Sequence, residues 1–282
     1  MELKITSPKV THFPTLRAYM TQTESTANAG MMDHYKMTGQ NCSKKWLGVD
    51  SFAEVERLTV EGWPEGAERI MQVAGELCIP PVLSVRRKRI RSDFGDELDI
   101  HAVNNGHLEN AWFKMGKRNR VTNRRITIVS TINASAATTP EELFWRGATC
   151  LALSNALIEA GYDVEIIGAQ ITYGLDATYS KATALYFPVK HFDEPLVISD
   201  LAVVLALSGF FRTYGWLSKF ANPFKINHVT GWAEVPRHVG QIKADFANSG
   251  SSVVAIDATI MTKEAAMKWL ERTIVEIQGK AE

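Results

Sequence analysis

The stretch that decides the fold is residues 124–168, RRITIVSTINASAATTPEELFWRGATCLALSNALIEAGYDVEIIG. Its first part, 124–132, is β-branched and apolar, which predicts a buried strand. Thr139 and Glu142 have the spacing of a capping box, and Gly161 predicts where the long helix that follows ends. A second apolar strand comes directly after this glycine. A strand, a helix and a strand with short connections predict a βαβ unit with parallel strands and a right-handed crossover.

The rest of the chain extends this unit. The patterns predict further strands over 181–189 and 251–259, and a C-terminal helix that begins after Thr262. We therefore predict an α/β fold with a central, mostly parallel sheet flanked by helices, in a domain over 121–282. A helical and basic N-terminal region, 46–120, precedes it. Because no linker separates the two, we expect them to form one compact unit.

The first 45 residues are predicted as an arm or extended loop. Residues 20–45 are rich in Thr, Ser, Asn, Gln and Gly, contain four methionines and have no apolar period. Methionine side chains adapt to irregular partners, so the arm is a candidate docking segment through which the chain forms a homo-oligomer. A loop covered by the rest of the fold is the alternative interpretation.

Bulk composition excludes several classes of protein. The 282 residues are 45% hydrophobic and 22% charged, with 31 basic and 31 acidic residues, which is ordinary for a globular protein with a full core. The apolar run at 195–211 is interrupted by Asp200 and is shorter than the roughly 20 residues that a membrane helix needs. The N-terminus lacks the pattern of a signal peptide. Three widely spaced cysteines give neither a disulfide framework nor zinc spacing, so we expect a cytoplasmic protein.

Residues 126–170 resemble a von Willebrand A-type domain: a hydrophobic strand, a small-residue turn, a long helix and the phrase ALIEAGYDVEIIG. In that family the turn after the first strand usually reads D-x-S-x-S and binds a divalent cation. The matching residues here are Asn133-Ala134-Ser135-Ala136-Ala137, without the leading carboxylate and the second serine. Hard cations prefer anionic oxygen ligands, so the resemblance implies a domain without metal. Asp257, after the last predicted strand, is either a remnant acid of that site or an ordinary aspartate at a strand end.

Residues 46–66, WLGVDSFAEVERLTVEGWPEG, are similar to proteins of bacteriophages. Among phage proteins of this size, one class binds single-stranded DNA and helps a phage-encoded RNA polymerase onto its template. The similarity implies a transcription or replication cofactor in the host cytoplasm, with a polymerase or another protein as a further partner.

No catalytic motif is present. The sequence has no phosphate-binding glycine loop, no G-x-S-x-G elbow and no histidine pair at metal-ligand spacing. We therefore expect a protein that is not an enzyme and that uses no cofactor and no metal. A hydrolase or nuclease without a recognisable motif is a further alternative, because catalytic residues can come together from distant positions. The acids at 93–99 are the cluster that such a site would use.

Charge is distributed very unevenly. Residues 86–125 contain eleven basic residues and five acidic ones, a net charge of +6 in a chain whose total is zero. One cluster is compact and the other surrounds two aromatic rings, a combination that single-stranded nucleic acid uses for phosphate contacts and base stacking. The candidate nucleic-acid-binding residues are Arg86, Arg87, Lys88, Arg89, Arg91, Trp112, Phe113, Lys114, Lys117, Arg118, Arg120, Arg124 and Arg125.

Two other interpretations remain open. The acids at 93–99 could pair with the arginines at 86–91 across a hairpin that turns at Phe94-Gly95, and Trp112 could belong to the core. The leading hypothesis is a non-catalytic protein that binds single-stranded nucleic acid, preferably DNA, on the 86–125 face. Its rival is a protein-interaction scaffold of the von Willebrand A-like type without metal.

Overall fold

The computed structural model describes residues 4–7, 10–26, 44–82, 89–115, 124–134, 138–173, 182–215, 217–218, 236–256 and 259–279. The strands are β1 (Lys4–Ser7), β2 (Val10–His12), β3 (Arg89–Ser92), β4 (Glu97–Leu98), β5 (Trp112–Met115), β6 (Arg125–Thr131), β7 (Asp163–Tyr173), β8 (Ala182–Lys190) and β9 (Ser252–Ile256). The helices are α1 (Leu16–Thr26), α2 (Lys44–Leu47), α3 (Phe52–Glu61), α4 (Pro64–Gly75), α5 (Ile100–Asn104), α6 (Pro140–Ala160), α7 (Ile198–Leu205), α8 (Ser208–Phe210), α9 (Pro236–Asp245) and α10 (Lys263–Gly279).

The central sheet has six strands in the order β1-β2-β8-β7-β6-β9. Strand β6 lies between β7 and β9 and runs parallel to both, with Ile128 opposite Ile166 on one side and Val254 on the other. Strand β2 is parallel to β8, while the β1–β2 and β7–β8 pairs are antiparallel. The predicted α/β fold with a mostly parallel sheet flanked by helices is confirmed.

Helix α6 begins and ends where its local chemistry requires. The Thr139 hydroxyl accepts a hydrogen bond from the Glu142 backbone N–H, and the Glu142 carboxylate accepts one from the Thr139 N–H, which is a complete capping box. Gly161 ends the helix at φ 94°, and its N–H donates to the last-turn carbonyls of Leu157 and Ile158. A φ in this left-handed region favours glycine, so local chemistry sets the length of the crossover between β6 and β7.

Two hydrophobic clusters lie on opposite faces of the sheet. Ile126 and Ile128 belong to the larger cluster and Val129 to the smaller one, as the alternation of side chains along a strand requires. The smaller cluster is covered by α9 through Ile242. The larger is covered by α1, α3, α4, α6, α7 and α10, through residues such as Tyr19, Val55, Ile70, Leu151, Leu201 and Leu270.

The prediction of an arm over residues 1–45 is wrong for residues 4–7, which form β1 of the central sheet, and for residues 10–26. Strand β2 adds to the central sheet beside β8, and α1 follows it. The helix buries Tyr19, Met20 and Thr23, and the Tyr19 hydroxyl donates to the Gln170 side chain at 2.8 Å. The buried side of this helix includes the polar Thr23, so a search for regularly spaced apolar residues does not detect the helix. Residues 27–43 of the predicted arm lie outside the described residues.

The apolar run at 195–211 forms α7, which is buried against the sheet, and the short α8 with the π-helical turn that follows it. Across the described ranges, no helix combines the length and the apolar character needed to cross a membrane.

Candidate nucleic-acid interface

Residues 89–115 form a second, three-stranded antiparallel sheet in the order β3-β5-β4. None of its described side chains belongs to either of the two hydrophobic clusters of the central sheet and its flanking helices, which we call the body. Arg89 lies opposite Met115 and Arg91 opposite Phe113, so the start of β3 and the end of β5 are at the same end of this small sheet. We call this the open end. The polypeptide enters and leaves the small sheet there.

One surface of the small sheet, the arginine face, carries Arg89, Arg91, Glu97 and Phe113. Cross-strand partners project to the same side, and both Arg91 and Glu97 are partners of Phe113. The guanidinium carbons of Arg89 and Arg91 lie 4.3 Å and 5.6 Å from the centre of the Phe113 ring. These are cation–π contacts, which position both guanidinium groups over one aromatic ring.

The arginines of this face are engaged by carboxylates. Arg89 Nη2 lies 2.5 Å from Glu97 Oε2, and Arg91 Nη2 lies 2.8 Å from Asp99 Oδ2. Two of the ion pairs expected between the acids at 93–99 and the arginines at 86–91 are therefore observed, Arg89 with Glu97 and Arg91 with Asp99. The strands do not form the direct hairpin expected, because β5 lies between β3 and β4. A pairing with a distant strand leaves no local sequence signal, so this arrangement could not be predicted from residues 86–99 alone.

Asp99 has a second role. Its Oδ1 accepts hydrogen bonds from the backbone N–H groups of His101 at 3.1 Å and Ala102 at 3.2 Å, which caps the N-terminus of α5. Its side chain is only 13% exposed, against 64% for Glu97. The two carboxylates therefore differ: Asp99 is held by the backbone at the start of α5 as well as by Arg91, whereas among the described residues Glu97 is held by Arg89 alone.

The opposite surface, the apolar face, carries Ile90, Leu98, Trp112 and Lys114. Ile90 and Leu98 are exposed, and Trp112 is half-buried. Phe94 follows β3 and is 65% exposed, and Lys114 Nζ lies 4.6 Å from the centre of its ring. Within the described ranges, no carboxylate forms a salt bridge with Lys114. An exposed ring beside an unneutralised ammonium group is suited to stacking a base and attracting its phosphate.

Gly95 makes the position of Phe94 possible. The chain crosses β5 so closely that a Cβ on Gly95 would lie 2.1 Å from the Phe113 carbonyl oxygen. In this position the neighbouring Asp96 N–H donates to the same carbonyl at 3.0 Å. The close contact with the β5 backbone therefore requires a residue without a side chain at position 95.

Two candidate residues lie on the body instead of the small sheet. Arg124 donates from Nη2 to the Gly161 carbonyl at 2.9 Å, and Arg125 starts β6 with its guanidinium carbon 5.3 Å from the centre of the Phe192 ring. Arg125 is exposed. The structure thus brings together five of the candidates on the small sheet: Arg89, Arg91, Trp112, Phe113 and Lys114.

Six candidates lie outside the described residues: Arg86, Arg87, Lys88, Lys117, Arg118 and Arg120. In the sequence the first three come immediately before Arg89, and the other three follow within five residues of Met115. Both groups are therefore attached to the open end, although about 30 residues separate them in the chain.

Sequence reasoning did not include Ile90, Phe94 and Leu98 among the candidates. Ile90 alternates with Arg89 and Arg91 along β3, so a two-residue period was available to separate the two faces. Phe94 was recognised only as a turn residue. Its exposure depends on the chain crossing over β5, which no local pattern encodes.

At the carboxyl end of β6, Asn133 is used for structure. Its Nδ2 donates to the Ile171 carbonyl and its Oδ1 accepts from the Ile171 N–H, both at 2.9 Å. Arg146 of α6 is buried there and donates from Nη1 to the Thr131 and Asn133 carbonyls, both at 2.7 Å. Ser135, Ala136, Ala137 and Asp257 lie outside the described residues. In the part of the chain that is described, no group of three or more His, Cys, Asp or Glu side chains could hold a metal ion.

Comparison with known proteins gives a family and no activity. Searches of curated proteins and of solved structures found no match. A family model described as a domain of unknown function, DUF7192, matches residues 5–244, which include the small sheet, both basic segments and the central sheet up to α9. Because this match covers most of the chain, the protein belongs to the DUF7192 family.

Proposed function

We propose that this protein binds single-stranded nucleic acid, preferably DNA, through the small sheet and the two basic segments attached to its open end. One observation carries the proposal. Arg89 and Met115 are cross-strand partners at one end of the small sheet. The two basic clusters, which are distant from each other in sequence, continue the chain from these two residues. Cations gathered in this way attract a polyanion, although the chain as a whole has no net charge.

The flanking segments have to supply most of the affinity. Within 89–115 there are three basic residues against five acidic ones, and two of the three are paired with carboxylates. The six basic residues just outside this range reverse that balance. Phosphate contacts made by such residues release counterions, so binding should weaken steeply as salt increases.

The apolar face adds a place for bases. Exposed aromatic rings stack on bases of any sequence and contribute roughly 1–3 kcal/mol per base. Phe94, 65% exposed beside Lys114, meets this requirement, and the half-buried Trp112 lies on the same face. The expected mode is therefore binding with little sequence preference, without catalysis, as a phage transcription or replication cofactor would need. A polymerase is the protein partner that this role implies.

The test is fluorescence anisotropy with a labelled single-stranded oligonucleotide. We expect binding at low salt, and we expect the triple variant Lys117→Glu, Arg118→Glu and Arg120→Glu to reduce affinity at least about 100-fold on every sequence tried. The log–log slope of affinity against salt should become shallower by about 2, because each phosphate that a cation neutralises on a single strand accounts for about 0.7.

The matched control reverses three exposed cations on α9 and α10: Lys243→Glu, Lys268→Glu and Arg272→Glu. It changes the net charge by the same amount away from the small sheet. Equal reductions in the two triple variants would contradict a localised interface, and absence of wild-type binding at low salt would eliminate the proposal. Magnesium or manganese added to the same titration would reveal cleavage if the protein were a nuclease.

A protein-interaction scaffold is the second candidate. Ile90, Phe94, Leu98, Ile100 and Leu108 are exposed large apolar residues that all lie within 90–108. Such a concentration is typical of a surface that contacts another protein. Under this function the protein would be indifferent to oligonucleotides and would form oligomers or a stable complex, which light scattering of the purified protein detects.

A further inference from the structure

We infer that Arg89 and Arg91 form a phosphodiester-binding pair that Glu97 and Asp99 occupy in the free protein. This inference rests on the proposed function, since it names the site at which one part of the nucleic-acid backbone would bind. It adds a regulation: Glu97 competes with the ligand for the guanidinium group of Arg89.

The geometry of the arginine face is suitable for phosphate. Arg89 and Arg91 are two residues apart on β3, so their side chains project from the same side at a spacing of about 7 Å. Both guanidinium groups lie over the Phe113 ring, which limits their orientations before any ligand arrives. A planar guanidinium group offers the same forked donors to a carboxylate and to a phosphate, so each carboxylate now takes a position that a phosphate oxygen would use.

A phosphate should displace one of the two carboxylates from its arginine more easily than the other. Arg89 and Glu97 are 51% and 64% exposed, and ion pairs in that environment stabilise a protein little because water and salt screen them. Asp99 is held by the two backbone N–H groups at the start of α5 as well as by Arg91. We therefore assign Glu97 as the carboxylate that a phosphate displaces, and Asp99 as one that keeps Arg91 in position.

The test compares Glu97→Gln with wild type in the oligonucleotide titration. Removing the competing charge should increase affinity by about threefold to tenfold, because Arg89 becomes available to a phosphate. The log–log salt dependence should steepen by about 0.7, the contribution of one additional phosphate contact on a single strand. Adding Arg89→Ala to Glu97→Gln should return both quantities to wild-type values.

Glu61→Gln is the matched control. Glu61 forms a similar exposed ion pair with Arg57 on α3, at 2.8 Å, so the variant makes the same change in net charge at another surface. If Glu97→Gln and Glu61→Gln change affinity and salt slope alike, or if the gain survives Arg89→Ala, the inference is overturned while the proposed function stands. If neither wild type nor any variant binds the oligonucleotide, the proposed function fails and this inference with it.

Discussion

Gly209 shows how much a single residue position can constrain the packing of this protein. A Cβ at Gly209 would lie 2.6 Å from Val55 Cγ2 and 2.8 Å from the Leu47 carbonyl oxygen. The first of these atoms belongs to α3 and the second to α2, so α8 can approach both helices closely because Gly209 has no side chain. In the sequence, a glycine needed for close approach looks the same as one that ends a helix, so no local pattern predicts this contact.

We expect Gly209→Ala to lower the free energy of unfolding by about 1–3 kcal/mol, the usual cost of forcing an additional methyl group into a packed core. Denaturant unfolding measured by circular dichroism is the appropriate assay. The control is Gly240→Ala in α9, where a Cβ meets no atom within 4 Å and alanine favours the helix by up to about 1 kcal/mol. Equal stability of wild type and Gly209→Ala would show that α8 can shift away from α2 at no cost.

At the scale of elements, the sequence predicts best where local chemistry and burial agree. Helix α6 is recognisable because Thr139, Glu142 and Gly161 define both of its ends, and β6 because it is rich in β-branched residues. Strand β2 has only three residues and is placed by its pairing with β8, more than 170 residues away. Such a contact depends on the completed sheet, so no window of sequence around Val10 predicts it.

At the candidate site, too, the sequence predicts the residue types but not the features that depend on strand pairing. The sequence identified Arg89, Arg91, Trp112 and Phe113, but it could not assign them to opposite faces, because that requires knowing that β5 lies between β3 and β4. The acids were correctly considered as partners of the arginines. Which acid pairs with which arginine follows from the register of three strands and not from spacing along the chain.

The small sheet should be dispensable for the fold of the body. Its residues belong to neither hydrophobic cluster, and its two ends meet at the pair Arg89 and Met115, whose Cα atoms a linker of a few residues spans. Replacement of 89–115 by a short Gly-Ser linker should therefore change the unfolding free energy of the body by no more than about 1 kcal/mol.

Thermal unfolding followed by circular dichroism tests this expectation. Ile128→Ala, at a fully buried position of β6, is the comparison that shows the size of a true core defect, about 2–5 kcal/mol. A linker variant as damaged as Ile128→Ala would mean that the small sheet is needed to complete the body.

At the scale of the whole molecule, buried groups that stay protonated lower the stability of the fold at alkaline pH. Burial raises the pKa of Cys150 from 9.0 to about 12. Burial also raises the pKa of Tyr19 and, together with the negative charge of Glu24, that of Tyr214. In the unfolded chain these groups release their protons near their ordinary pKa values of 9.0 and 10.0, while the folded chain keeps them.

At these three groups the unfolded state therefore binds fewer protons above about pH 9, and each group lowers the free energy of unfolding as pH rises, by up to about 1.4 kcal/mol per pH unit. Below about pH 8 these groups contribute their full stabilisation. Denaturant unfolding between about pH 8 and pH 10.5 measures the slope. Cys150→Ala should be less stable at every pH but should show a shallower slope, and a stability that is flat across this range would contradict the assignment.

The position of β9 at the end of the central sheet has a consequence for behaviour at high concentration. Among the described residues β6 is its sole strand neighbour, so part of its backbone faces outward, as at any sheet edge. Lys243, Arg272 and Glu276 line the same cavity of about 200 Å³ as Ser252 and Val253. Charged side chains beside an edge strand would lose water if a second edge paired with it, and this cost opposes the growth of the sheet into aggregates.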